Sequence, residues 1–229
     1  LFEAICELPE YYPTLAGSAI FDAHLPEIAE STGQGTTLID LGAGNCAKAA
    51  RLFSALQPAQ YVPVDISVDF LRDAVGVLRQ RFPWIEMTGL GLDFSSALTL
   101  PDAVRRDKRL FFYPGSSIGN FFPDEAIAFL KRLHEACGTS QHAEGGLLIG
   151  VDLVKDKKIL DAAYDDALGV TASFHRHLLL HLHTLLGADF HVRDWRHRGI
   201  FNGELNRIEM HLEARRPVTV SWQGGRRRF

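Results

Sequence analysis

The apolar, partly β-branched run Thr37–Leu41 leads straight into Gly42-Ala43-Gly44, and this strand-to-glycine junction constrains the chain more than any other stretch. Glycine admits left-handed backbone and lets another group approach the main chain where a side chain would collide. Behind the junction, Lys48–Leu56 places apolar residues at helical spacing, with Asn45 as the expected N-cap. The alternation then recurs. Tyr61–Val64 predicts a second strand, and Val68–Leu78 predicts a helix with apolar positions at Phe70, Leu71, Val75 and Leu78. Trp84–Gly89 predicts a third strand, Leu110–Tyr113 a fourth with the amphipathic stretch Asp124–Cys137 behind it, and Gly146–Leu153 a fifth. The fifth is nearly all apolar, as a strand covered on both faces should be. This pattern predicts an α/β fold, a parallel sheet with helices on both faces. Such sheets bind ligands at the carboxyl ends of their strands, which is where Gly42 and Gly44 stand.

Beyond Leu153 the character changes. Lys155 to Leu186 reads as helical, broken near Gly169, with apolar positions at Leu178, Leu179, Leu182 and Leu185. Arg198–Asn202, Arg207–Ala214 and Pro217–Gln223 then alternate apolar and polar residues, as antiparallel strands do. Ile208, Met210 and Leu212 share one face of the second run, and Glu209, His211 and Glu213 the other. The expectation is two domains, one over 16–154 and a smaller α+β domain built from 1–15 and 155–229. The 229 residues are 46% hydrophobic and 23% charged, which is ordinary for a globular protein of that layout. A net charge of −4 gives no reason to expect nucleic acid, and Arg226-Arg227-Arg228 reads as a solvated face. Cys6, Cys46 and Cys137 are too widely spaced for a disulfide framework or a zinc site, which predicts a reducing, cytoplasmic setting. No apolar run approaches the ~18 residues of a membrane span, so no membrane partner is expected. The start at Leu1 without Met and the stop at Phe229 predict an internal segment of a longer protein, truncated at both ends. The oligomeric state stays open, with a monomer compatible.

The choice of ligand turns on acids. A dinucleotide site wants Gly-x-Gly-x-x-Gly, and here the third position is Ala47, a small residue that such sites sometimes tolerate. Asp40 discriminates further. A carboxylate beside a pyrophosphate is repelled, whereas one beside a sulfonium or ammonium is attracted. Asp65, 21 residues beyond Gly44 at the end of the second strand, stands where a carboxylate accepts hydrogen bonds from ribose hydroxyls. Asp93, followed by Phe94, comes after the third strand, where an adenine amino group would lie against an aromatic ring. Three acids at successive strand ends around Gly42 and Gly44 point to S-adenosyl-L-methionine, with a nicotinamide dinucleotide as the competing reading.

Two further stretches, Leu8-Pro9-Glu10-Tyr11-Tyr12-Pro13-Thr14 and Pro114-Gly115-Ser116-Ser117-Ile118-Gly119-Asn120, resemble the histidine Nα-methyltransferases of ergothioneine biosynthesis. Asp152-Leu153-Val154-Lys155-Asp156, Ala163-Tyr164-Asp165-Asp166, Gly169-Val170-Thr171-Ala172 and Arg207-Ile208-Glu209-Met210 follow in that family's order. The resemblance runs from Leu1 to about Glu213. It implies a Rossmann-like class I methyltransferase sheet with a smaller substrate-binding domain, and three methyl transfers to the α-amino group of histidine, giving hercynine. It also implies roles for individual residues. Tyr11, Asn120 and Tyr164 match positions that grip the substrate's carboxylate and amino group. Gly42, Lys48, Asp65, Asp93 and Phe94 match positions that line the cofactor site. The residue types agree, since an asparagine amide offers both donor and acceptor to an amino acid and tyrosines add neutral donors. No general base is evident, so the expected mechanism is positioning, with no catalytic residue assigned and no metal. Met210 and Phe174 are candidates for a pocket that receives methyl groups, or for plain core packing.

The pattern also departs from that family. His175 and His177 stand where two asparagines are usual after Thr171-Ala172-Ser173-Phe174, and Leu15-Ala16-Gly17 replaces a basic and an acidic residue. His177 and His181, one helical turn apart, could share a metal, but no third ligand is evident and a histidine-rich helix face is the simpler reading. The residues that read imidazole in the family lie outside this chain, so an amino-acid amine is supported better than histidine itself. A methyltransferase with another amine acceptor, and a ligand-binding module without turnover, are the alternatives.

Overall fold

A computed structural model describes residues 1–137 and 145–229 of the chain. Contacts divide it into two compact units, Ala16–Asp152 and a smaller one of Leu1–Leu15 with Leu153–Phe229. The helix α2 (Tyr12–Thr32) belongs in sequence to both.

In the larger unit the apolar runs form strands β1 (Thr37–Leu41), β2 (Gln60–Asp65), β3 (Glu86–Met87), β4 (Leu90–Gly91), β5 (Arg109–Tyr113) and β6 (Gly146–Ile149). Their order is β3-β2-β1-β5-β6, with β4 pairing β2 beyond β3, and the pairs are parallel. Central β1 sets Ile39 between Val62 and Phe111. The next strands in sequence lie on one side of it and the later ones on the other. Its carboxyl end is therefore the point where strand order reverses, and there an α/β sheet opens a crevice.

Side chains alternate across the sheet. Leu38, Tyr61, Leu110 and Phe112 enter one core, with Leu52, Phe53, Leu56 and helix α5 (Val68–Arg81) against them. Ile39, Val62, Val64, Phe111 and Tyr113 enter the other, beneath helix α6 (Pro123–Cys137). Each fully buried Phe contributes roughly 1.5–3 kcal/mol. Gln60 is a polar residue buried without exposed area. Its amide donates to Ala103 O at 2.8 Å and to the Glu86 and Thr88 side chains at 3.1 and 3.2 Å, and its carbonyl accepts from Arg105 N at 2.9 Å. One side chain thus joins β2, the sheet-edge strand β3 and the loop before β5.

Several elements differ from the sequence reading. The helix expected over Lys48–Leu56 breaks into α3 (Ala47–Ala50) and α4 (Phe53–Leu56). Its N-cap is Cys46, in left-handed backbone, while Asn45 Oδ1 still accepts from Ala47 N at 3.1 Å. The third strand is two short pieces starting at Glu86, with Trp84 left exposed. The fifth strand ends at Ile149, only half-buried, and Val151 and Leu153 are exposed. It is an edge strand here, and a Cβ on Gly150 would sit 2.2 Å from Pro114 O, so the chain passes tightly there and leaves the sheet. Helix α2 carried no periodic signal because Phe21 is its one buried residue.

The smaller unit holds α1 (Phe2–Cys6), α7 (Lys157–Tyr164), α8 (Val170–Leu186), the antiparallel pair β7 (Trp195–Asn202) with β8 (Arg207–Ala214), and the hairpin β9 (Thr219–Trp222) with β10 (Gly225–Arg228). Asp156 caps α7 through Lys158 N at 2.7 Å. Asp166 caps α8 through Val170 N and Thr171 N at 2.9 and 2.7 Å, behind Gly169 at φ +75°. Leu179, Ala188, Trp195 and Val220 form its core. The terminal arginines, expected as a solvated run, occupy the exposed strand β10. Among the described residues no helix is long and apolar enough to cross a membrane.

Replacing Gln60 by Leu would remove the acceptor of the Arg105 N–H and the donor to the Ala103 carbonyl, both on exposed residues where water can take over. Urea denaturation of Gln60→Leu is expected to show a loss of roughly 1–2 kcal/mol, from the lost hydrogen bonds of one side chain.

Candidate functional site

The Gly42–Gly44 loop leaves the carboxyl end of β1 with both glycines in left-handed backbone, at φ +73° and +52°. A side chain at either would be strained. Gly42 N and Ala43 N both donate to Val64 O, at 2.9 and 3.1 Å, which ties the loop to β2. Gly44 N donates to Asp65 Oδ2 at 3.0 Å, and Asp65 Oδ1 accepts from Ser67 N at 2.9 Å. Asp65 therefore joins the loop after β1 to the turn after β2. Each of its oxygens keeps a further lone pair for a ligand hydroxyl.

Phe94 stands beside the loop, with its Cζ 3.8 Å from where a Gly42 Cβ would be. Its ring meets Tyr113 edge to face at 5.8 Å, which holds it upright against the second core. Asp93, exposed before it, accepts from Ser95 N at 3.0 Å and Ser95 Oγ at 2.5 Å. Those hydrogen bonds hold its carboxyl below the usual range. Lys48 is exposed on α3, with Nζ 3.9 Å from where a Gly115 Cβ would lie. It thus borders the Gly-rich turn after β5 that ends at Asn120. Asn120 itself is exposed at the close of the short 3-10 turn Ser117–Asn120. The larger unit gathers Gly42, Gly44, Asp65 and Phe94 at the reversal of strand order, with Lys48 at the neighbouring turn.

Asp40 behaves differently from the sequence argument. Its side chain shares the face of Leu38, so its carboxyl is buried and accepts from Tyr61 Oη at 2.8 Å. Burial pushes its pKa up to about 7, opposed by the Tyr61 hydrogen bond and the Lys48 charge. Burial likewise raises the Tyr61 phenol and lifts the Cys46 thiol to about 11. The acid at the head of the loop is thus a core group whose proton is loosely held at neutral pH, not a permanently charged carboxylate facing outward. Tyr61 is the partner that the sequence reading missed. Period-two alternation from Leu38 would have turned Asp40 inward and called for a buried donor.

In the smaller unit Tyr11 and Tyr164 meet edge to face, ring centroids 5.9 Å apart. Phe2 touches Tyr11, and Phe174 touches Phe2, each at 6.4 Å. Tyr164 is the last residue of α7, and Tyr11 directly precedes α2. Met210 is half-buried on β8. Of the α8 histidines, His175 pairs with His197 and His183 with Ala188 O. Among the described residues no three His, Cys, Asp or Glu side chains come together as a metal site would need.

The family model described as "Histidine-specific methyltransferase, SAM-dependent" matches residues 1–229. A Mycolicibacterium smegmatis protein named histidine N-alpha-methyltransferase is 38% identical over 219 residues, covering 94% of this chain and 66% of that protein. One of the same name from Mycobacterium tuberculosis is 37% identical over 218 residues, covering 93% and 66%. Ergothioneine biosynthesis protein 1 of Neurospora crassa is 31% identical over 207 residues, covering 86% of this chain and 23% of that protein. The chain spans just under two thirds of the length of the two bacterial relatives.

The buried carboxyl has a measurable signature. Asp40 holds its proton more tightly in the folded chain than in the unfolded one, so its ionisation opposes folding. That cost is absent below about pH 4, grows as pH rises to about 7 and is complete above, at roughly 4 kcal/mol. Asp40→Asn keeps an acceptor for Tyr61 and removes the charge. Relative to the parent, its urea stability is expected to rise at about pH 8 and to change little at about pH 4.

Proposed function

The chain belongs to the family of histidine-specific, S-adenosylmethionine-dependent methyltransferases, and from that premise we propose that it takes part in transferring methyl groups to the α-amino group of L-histidine, giving hercynine. The observation that carries the reading is the loop Gly42–Gly44, fastened by Asp65 where strand order reverses. Its residues fit the cofactor. Two left-handed glycines leave the main chain open to a close ligand, and Gly44 has no other atoms within 4 Å of its missing Cβ. Asp65 has lone pairs to spare for ribose hydroxyls, and Phe94 offers an upright ring for a nucleobase. Lys48 suits the amino-acid carboxylate of the cofactor, and Asp93, kept ionised by Ser95, suits an exocyclic amino group. When bound, S-adenosylmethionine supplies an electrophilic methyl group on a sulfonium.

We assign Asn120, Tyr11 and Tyr164 to the amino-acid substrate. The Asn120 amide carries both donors and an acceptor, matching a carboxylate and an amine at one residue. The tyrosines add phenol O–H groups that can donate hydrogen bonds. Holding the amine in a productive pose supplies the rate advantage in this reading, with no residue acting as acid or base. A cytoplasmic location belongs to the same reading, supported by three unpaired cysteines. So does a small-molecule partner without nucleic acid, given the net charge of −4.

The decisive assay gives the intact protein S-adenosylmethionine and each of the twenty amino acids. Mass gains of one, two and three methyl groups on histidine alone support the proposal, and no product with any of them overturns it. Asn120→Ala is expected to weaken amino-acid binding by ~1–3 kcal/mol with cofactor affinity little changed. Asp65→Ala is expected to do the reverse, because it removes the hydroxyl acceptor and releases Gly44 N together. Isothermal titration of both ligands against both variants distinguishes the assignments.

A further inference from the structure

His175, on the first half of α8, and His197, on β7, face each other with their Nδ1 atoms 2.9 Å apart. The rings are nearly perpendicular, with centroids 5.1 Å apart. On its other side His197 Nε2 lies 2.7 Å from the carbonyl oxygen of Tyr164 and 3.8 Å from an Asp165 carboxylate oxygen. Neither of those groups can donate, so the proton on that edge belongs to His197 Nε2. A neutral His197 then has only a lone pair at Nδ1, and the proton between the two rings must come from His175 Nδ1. With both rings neutral, the order of donation is His175 Nδ1–H to His197 Nδ1, and His197 Nε2–H to Tyr164 O.

The receiving end is tightly built. His197 has a side chain only 1% exposed. Two residues on, a Cβ on Gly199 would lie 2.4 Å from Tyr164 O, and Gly199 N donates to Asp165 Oδ2 at 3.3 Å. The last turn of α7 is thus pinned to β7 at the residue that carries the Tyr164 ring. Burial first, and then the imidazoles of His197 and of His211 on β8, hold His175 below the usual histidine range. Charged groups near the pair include Asp165 next to Tyr164 and Glu209, which binds His211 at 3.1 Å.

We propose that His175 and His197 are positioning residues for Tyr164, a two-imidazole relay whose fixed tautomers hold the end of α7 so that the phenol is presented to the substrate amino acid. The inference rests on the assignment of Tyr164 to the substrate.

Two measurements on the intact protein test it. Nuclear magnetic resonance of isotope-labelled imidazole nitrogens is expected to show His175 as the Nδ1–H tautomer, the less common form in water, and His197 as the Nε2–H tautomer. A proton on His197 Nδ1, or on His175 Nε2 alone, overturns the relay. In steady-state kinetics, His175→Leu removes the donor and is expected to raise KM for histidine about tenfold, the worth of one buried hydrogen bond, with kcat and cofactor KM little changed. His175→Asn places an amide N–H where Nδ1–H was and is expected to restore most of that loss. An unchanged KM in the Leu variant, an equal loss in cofactor KM, or no recovery in the Asn variant overturns the proposal. Tyr164→Phe separates the two readings. If it leaves KM for histidine unchanged, the assignment of Tyr164 fails, while the resonance spectra still report the relay by themselves.

Discussion

The hydrogen bond from Gly44 N to Asp65 Oδ2 holds the working end of the sheet together. A loop with two left-handed glycines has lost the side chains that normally limit backbone motion, so something else must hold it. Val64 O does so from the strand and Asp65 from the strand's end, both on β2, with Ser67 N engaging the second oxygen. The loop after β1 and the turn after β2 therefore move as one piece. The register of β1 against β2 makes this possible, because Leu41 opposite Val64 brings Gly44 to the Asp65 carboxylate.

Beneath that loop the interior holds an acid that the core would be more stable without. Asp40 lies on the side of the sheet that Leu38, Tyr61 and Phe112 fill, and its carboxyl accepts from the Tyr61 hydroxyl. Burying a carboxyl costs free energy unless it is protonated or well paired, and the rise to about 7 records that cost. Natural proteins tolerate such costs where a ligand site needs the group. Asp40 stands directly before the glycine loop, with Lys48 close enough to pull its pKa down.

The smaller unit solves a different problem, that of holding aromatic side chains carried on short elements. Helix α7 has only eight residues, too few to be stable alone in water. It is held by Asp156 at its start, by Phe201 N donating to Asp161 Oδ1 at 2.7 Å along its length, and by His197 at its end. Tyr164 thus stands at the close of a helix whose geometry is set by β7. Tyr11 meets it from the far end of the sequence, edge to face.

Much of this was legible in the order of residues. Strand–helix alternation from Thr37 to Cys137 determined the parallel α/β sheet, because a period-two run followed by a 3.6-period run permits few other packings. Two glycines at the end of the first strand marked the left-handed loop that the structure sets where strand order reverses. The sequence also carried the motif order that identifies the family. What it left undecided depends on side-chain direction and on contacts between distant segments. Helix α2 was illegible because a mostly exposed helix has no apolar stripe to read. The fifth strand looked longer than it is, because apolar residues at Val151 and Leu153 read as strand while the close passage of Gly150 by Pro114 O ends it. Asp40 read as a charge for a ligand, and only its place on the inner face of β1 turned it toward Tyr61. His175 and His197, 22 residues apart, had no visible relation until α8 and β7 were packed together. Local spacing determines which elements form; which atoms meet across them is decided by packing.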